Sequence, residues 1–123
     1  MGKLVDDTVW DTALQFLEDQ AILLTVCKDT PTNYGNATTS GTYMLAQVVV
    51  SAADFTIANG ATGRKTTIAE QAAIEILATG SATHVCLCSD DTLLFVTTCD
   101  AQVLTDGNAV TVPEWSITIS DPT

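Results

Sequence analysis

Basic residues are nearly missing from this chain. Lys3, Lys28, Arg64 and Lys65 stand against 15 acidic residues, for a net charge of −11. Nucleic-acid affinity comes from Lys and Arg neutralising phosphates, and the single basic pair, Arg64-Lys65, argues against direct DNA or RNA binding. Histidine is scarcer still: His84 is the only one. There is no G-x-S-x-G, no phosphate loop and no H-E-x-x-H, so no catalytic residue stands out. Long apolar runs are absent too. AILL ends at Thr25, far short of the ~18 residues of a membrane helix, and no membrane partner is expected. The first residues lack the basic start and apolar stretch of a signal peptide, so the expectation is synthesis and retention in a cytoplasm. Aromatics number only seven.

What is present is apolar and patterned. At 123 residues with 46% hydrophobic content and a mean hydropathy of +0.27, the chain suits one folded domain, 1–123, and not a disordered tail. Near the start, Trp10, Ala13, Leu14 and Leu17 fall at i, i+3, i+4 and i+7, with Val9 and Phe16 widening the stripe. Asp6 and Asp7 sit where carboxylates cap a helix. A helix over about 7–19 is expected, covering one face or end of a sheet. The sharper alternative is an arm that docks on a neighbouring subunit.

From Ala21 to about residue 120 the pattern is that of strands. ILLTVCK and TYMLAQVVVS flank a loop over Asp29–Gly41 rich in Thr, Asn, Pro and Gly. DFTIA and RKTTIAE flank Asn59-Gly60 as a hairpin with several extra residues. AAIEIL follows, then a break at Thr79-Gly80. The stretch from Ser81 reads as a meander: THVCLCS and TLLFVTT meeting at Asp90-Asp91, then AQVL-TDGN-AVTV and PEWSITISDPT. The expected fold is mainly β, an antiparallel sandwich or barrel-like meander with one N-terminal α-helix.

A two-residue loop at Asp90-Asp91 would set Leu87 opposite Leu94 and Val85 opposite Val96 on one face. The other face would carry Cys88 with Leu93, Cys86 with Phe95 and His84 with Thr97. Both faces are largely apolar, so this hairpin is expected to be central and covered on both sides. At Pro113-Glu114 the alternation slips phase, which predicts a bulge or a strand changing sheets.

Four cysteines, Cys27, Cys86, Cys88 and Cys99, are the remaining candidates for chemistry. Cys86 and Cys88 lie two apart on one strand, with Cα atoms ~6.5–7 Å apart, at the outer limit for a bridge. Cys99 would share their face beyond the strand end, and any disulfide must involve Cys27 or a second chain. Free buried thiols are the reading that a reducing cytoplasm favours, with a bridge formed after release as the alternative. His84-x-Cys86-x-Cys88 is the one metal-like cluster, but a C-x-C strand holds its sulfurs apart where a zinc knuckle converges them. Asp6-Asp7 and Asp90-Asp91 are explained by a helix start and a turn, and no D-x-D-x-D-G spacing supports calcium. No metal, cofactor or catalytic site is assigned.

Three segments together, KLVDDTVWDTALQFLEDQ, LTVCKDTPTNY and SATHVCLCSDDTLLFVTTCDAQVLTDGNAVTVPEWSITISDPT, resemble small structural-module proteins of tailed bacteriophages, encoded near the capsid and head–tail connection genes. The resemblance spans nearly the whole chain and is weakest between about Gly35 and Ala82. A looser one leads to longer tail-associated β proteins. The resemblance implies a non-enzymatic virion protein assembled in the host cytoplasm, first of all a capsid decoration protein on the outer shell. Its partners would be the major capsid protein or other virion proteins, and copies of itself, a trimer being the first expectation. A collar, connector or tail-surface component is the alternative within that class. From another class comes a receptor- or glycan-binding module at a fibre base, with Tyr34 and Tyr43 stacking on sugars.

Overall fold

The computed structural model describes residues 6–41, 43–60 and 63–119. The protein is mainly β, with antiparallel sheets in a sandwich-like arrangement and one long N-terminal helix. Helix α1 (Asp7–Gln20) begins where Asp6 accepts a 2.8 Å hydrogen bond from the Thr8 backbone N–H. It ends at Ala21, whose N–H still bonds the Leu17 carbonyl as the backbone turns extended.

The strands follow as β1 (Leu23–Cys27), β2 (Met44–Val49), β3 (Phe55–Asn59), β4 (Arg64–Ile68), β5 (Gln71–Glu75), β6 (Gly80–Cys88), β7 (Leu93–Leu104), β8 (Ala109–Val112) and β9 (Trp115–Ile119). A four-stranded sheet runs β2-β1-β6-β7, a three-stranded one β3-β4-β9, and β5 pairs with β8. A bridge from Ala46 to Ile76, with the Leu77 N–H bonding the Leu45 carbonyl at 2.7 Å, ties the end of the β5 segment to β2. One cluster of buried apolar residues joins the sheets, among them Leu24, Leu45, Phe55, Ile68, Ile74 and Leu87.

The long loop between β1 and β2 holds an element the sequence reading left out. A short helix, α2 (Tyr34–Thr38), is capped by the Asn33 side chain, which accepts from the Asn36 N–H at 2.8 Å. Its Ala37 is fully buried. The hairpin β3–β4 pairs in regular register from Phe55–Ile68 to Asn59–Arg64. Gly80 opens β6 and is paired with Leu104, so the expected break there is the start of a strand. A side chain at Gly80 would meet Leu45 Cδ2 at 3.0 Å, which is why glycine suits this close approach.

Two features of the expected meander are corrected. TLLFVTT and AQVL are one strand, β7, interrupted by a bulge in which Cys99, Asp100 and Ala101 face a single residue between the Ala82–Gln102 and His84–Thr98 pairs. The TDGN turn does not fold β8 back onto β7. Gly107, at φ 91°, donates its N–H to the Ile76 carbonyl and directs β8 onto β5. At Pro113-Glu114 the chain changes sheets, from β5–β8 to β4–β9.

Candidate interaction surface

The β6–β7 hairpin carries both of the faces singled out from the sequence, in a different register. It lies at the side of its sheet, with β7 as the edge strand, rather than centrally. Cys88 lies opposite Leu93 as expected, but an irregularity next to it sets Leu87 opposite Phe95, Cys86 opposite Val96 and His84 opposite Thr98. Phe95 therefore belongs with Val85 and Leu87, packing toward the main core. Val96 joins the thiol face, where Cys27, Met44 and Cys86 form a second cluster with Tyr43 and Leu93 against it. Cys99 moves to the opposite face from Cys86 and Cys88, which removes it from their cluster.

Cys27, Cys86 and Cys88 are buried free thiols, and Cys99 is free and exposed. The Cys86 S–H donates to the Cys27 sulfur at 3.9 Å across neighbouring strands. That hydrogen bond, and then burial, pushes the Cys86 thiol far above its ordinary value. Burial raises Cys88 to about 11, the neighbouring Cys27 adding to it. Neither is a ready nucleophile, since only the thiolate attacks.

His84 is satisfied by hydroxyls on both sides. Its Nε2 lies 3.0 Å from Thr30 Oγ1 and its Nδ1 2.8 Å from Thr83 Oγ1. Among the described residues no group of His, Cys, Asp and Glu is placed to hold a metal ion. Asp91 works within its turn, where Oδ1 accepts from the Thr92 hydroxyl at 2.8 Å. Ser89 Oγ accepts from the Thr92 N–H at 3.0 Å, closing the same turn. Tyr43 is half-buried against the thiol cluster and Tyr34 is half-buried in α2.

Among the described residues, concave features of about 250 to 460 Å³ are present. A cleft of about 250 Å³ beside the β7 bulge, lined by Val26, Val85, Cys99, Val112 and Pro113, is smaller than the ~300–1,000 Å³ typical of ligand pockets. The larger apolar feature lies along α1. Leu14 is buried and Trp10 and Leu17 are half-buried on the side facing the sheet, and α1 packs on β3 and β4. Asp11 on the same helix grips Arg64 of β4, Nε to Oδ1 at 2.7 Å. The rest of the apolar stripe is uncovered: Val9 is 55% exposed and Phe16 61%. Phe16 borders a groove of about 360 Å³ whose other walls are Leu94, Phe95, Ile117 and Ile119. Elsewhere Val49 and Val103 are each 76% exposed. The sequence stripe contained Val9 and Phe16, but nothing in it said which side of the helix would be left bare.

No protein-family model, curated protein or solved structure matches this chain.

Proposed function

We propose that this chain is a non-enzymatic structural protein of a tailed-bacteriophage particle, a decoration protein that binds the outer face of the capsid in many copies. The observation that carries the reading is the uncovered apolar surface on a rigid antiparallel scaffold. Large apolar side chains are bare on α1 (Val9, Phe16), on β2 (Val49) and on β7 (Val103). Contiguous exposed apolar surface marks protein contact sites, and Val9 and Phe16 stand one above the other along α1. The resemblance of three long sequence segments to phage structural modules supplies the setting.

Two further features support the reading. His84 is held by hydroxyls, and the buried Cys86 and Cys88 thiols are poor nucleophiles, so these groups serve packing. Among the described residues, β7 pairs only with β6, so its other edge is open to a second chain. Homo-oligomerisation through that edge, in a trimer, would multiply weak contacts with the shell through effective concentration. The acidic charge keeps free copies soluble before assembly.

Immunogold labelling of purified particles tests the placement. Gold distributed over the head is the expected result. Gold confined to the collar or tail would replace decoration by a connector or tail-surface role, and unlabelled particles would reject the virion assignment.

A further inference from the structure

The bare side of α1 says more than that something covers it, because the charges around it restrict what that something is. Val9, Ala13 and Phe16 succeed one another at i, i+4 and i+7, a continuous exposed ridge along the helix. The groove of about 360 Å³ runs beside this ridge, between it and β7 and β9. Helix α1 carries Asp7, Asp11, Glu18 and Asp19, is capped by Asp6, and has no Lys or Arg. Among the described residues the one ion pair reaching it is Arg64 to Asp11, with Arg64 also bonded to Asn59. Glu18 and Asp19 occupy the last turn, which holds no basic residue, although the negative end of a helix favours cations. Gln15 offers Asp19 an amide at 2.9 Å, which neutralises nothing.

We infer that the ridge and groove of α1 dock a basic apolar segment of another protein, one presenting large apolar side chains flanked by Lys or Arg. This deepens the assembly role proposed above and rests on it. An apolar anchor would fill the groove against Phe16 while its basic flanks meet Glu18 and Asp19, satisfying the helix end at the same time. A second copy of the chain fits poorly, since a symmetric contact through α1 would set these carboxylates against themselves. Nucleic acids and anionic lipid surfaces carry the wrong sign for the same rim.

A short synthetic peptide with leucine and lysine at helical spacing serves as the probe, titrated into the isotope-labelled full chain by NMR. Saturable shifts are expected at Val9, Phe16, Leu94 and Ile117, together with a fall in the pKa of Glu18, which burial and then Asp19 hold above its ordinary value. Phe16→Ser should weaken binding about tenfold, as loss of an apolar anchor does. Because Phe16 is exposed, its replacement should leave the melting curve unchanged, and Val49→Ser should bind as the wild type does. A leucine–glutamate peptide should not bind. Absent binding, equal binding to Phe16→Ser, or equal binding of a lysine–serine peptide would overturn the inference. So would Phe16-dependent self-association in sedimentation, which would assign the surface to a second copy. In particles, full incorporation of Phe16→Ser would reject this docking surface and leave the virion role standing, whereas absence of the wild-type chain would reject the role itself.

Discussion

Thr66 lies in β4 with its side chain fully buried and its hydroxyl without a hydrogen-bond partner. A buried hydroxyl that bonds nothing keeps its desolvation cost, and valine has nearly the same shape. Thr66→Val should therefore raise stability by about 1 kcal/mol in a denaturant titration; an equal loss would show that the hydroxyl is bonded after all. Ala73 is a second local cost, a non-glycine residue at φ 56° where the β5–β8 register shifts. A β-branched residue fits that conformation worse, so Ala73→Val should lose about 1–2 kcal/mol although the position is exposed. The cysteines give a chemical readout. Iodoacetamide should label Cys99 alone in the native protein and all four cysteines after denaturation. Partial burial of its sulfur, and then Asp100, raise the Cys99 thiol above its ordinary value, so labelling should be slow near neutrality and quicken as pH rises through that raised value. Recovery of a peptide pair bridged between Cys27 and Cys86 would contradict the free-thiol account.

Helix α1 works on two sides, and stability separates them. Leu14→Ala should cost about 2–5 kcal/mol as a core truncation, whereas Phe16→Ser should stay within about 0.5 kcal/mol. Equal losses would mean that the outer ridge is packed in the free protein. The cap adds a pH dependence with a defined sign. The Thr8 N–H holds the Asp6 carboxyl below its ordinary value, so its contribution is present above the ordinary carboxylate range and is lost as pH falls through the lowered value. Much at this scale was legible in the sequence. The Trp10–Leu17 stripe and Asp6 marked the helix, Asn59-Gly60 marked the β3–β4 hairpin, and the phase slip at Pro113-Glu114 marked the change of sheet. The register beyond Asp90-Asp91 was not, because Leu93, Leu94, Phe95 and Val96 are all apolar and a one-residue slip leaves the pattern equally good. The fate of TDGN was hidden for another reason. A turn sequence states that the chain bends, while the partner of β8 is decided by Ile76 and β5, some thirty residues upstream. Helix α2 lay in a stretch whose Thr, Asn and Gly read as loop, since its burial against β1 and β2 supplies what its propensity lacks.

For the whole molecule, a net charge of −11 opposes self-association while the open edge of β7 and the bare Val49 and Val103 favour it. Salt screens the first term and leaves the second, so association of the purified protein should tighten as ionic strength rises from a low value. Sedimentation at micromolar concentration is expected to find a trimer, and a strict monomer at every salt concentration would reject an oligomeric subunit. The candidate surface was only half legible at this scale: an unmatched apolar excess could be read from composition and pattern, but its location on α1, β2 and β7 depends on which faces the sheets cover. The central claim is that this chain coats a phage head. Quantitative mass spectrometry of purified particles, with the major shell protein as internal standard, tests it most directly. A copy number approaching that of the shell subunit is the predicted result, and a few copies per particle, or none, would contradict it.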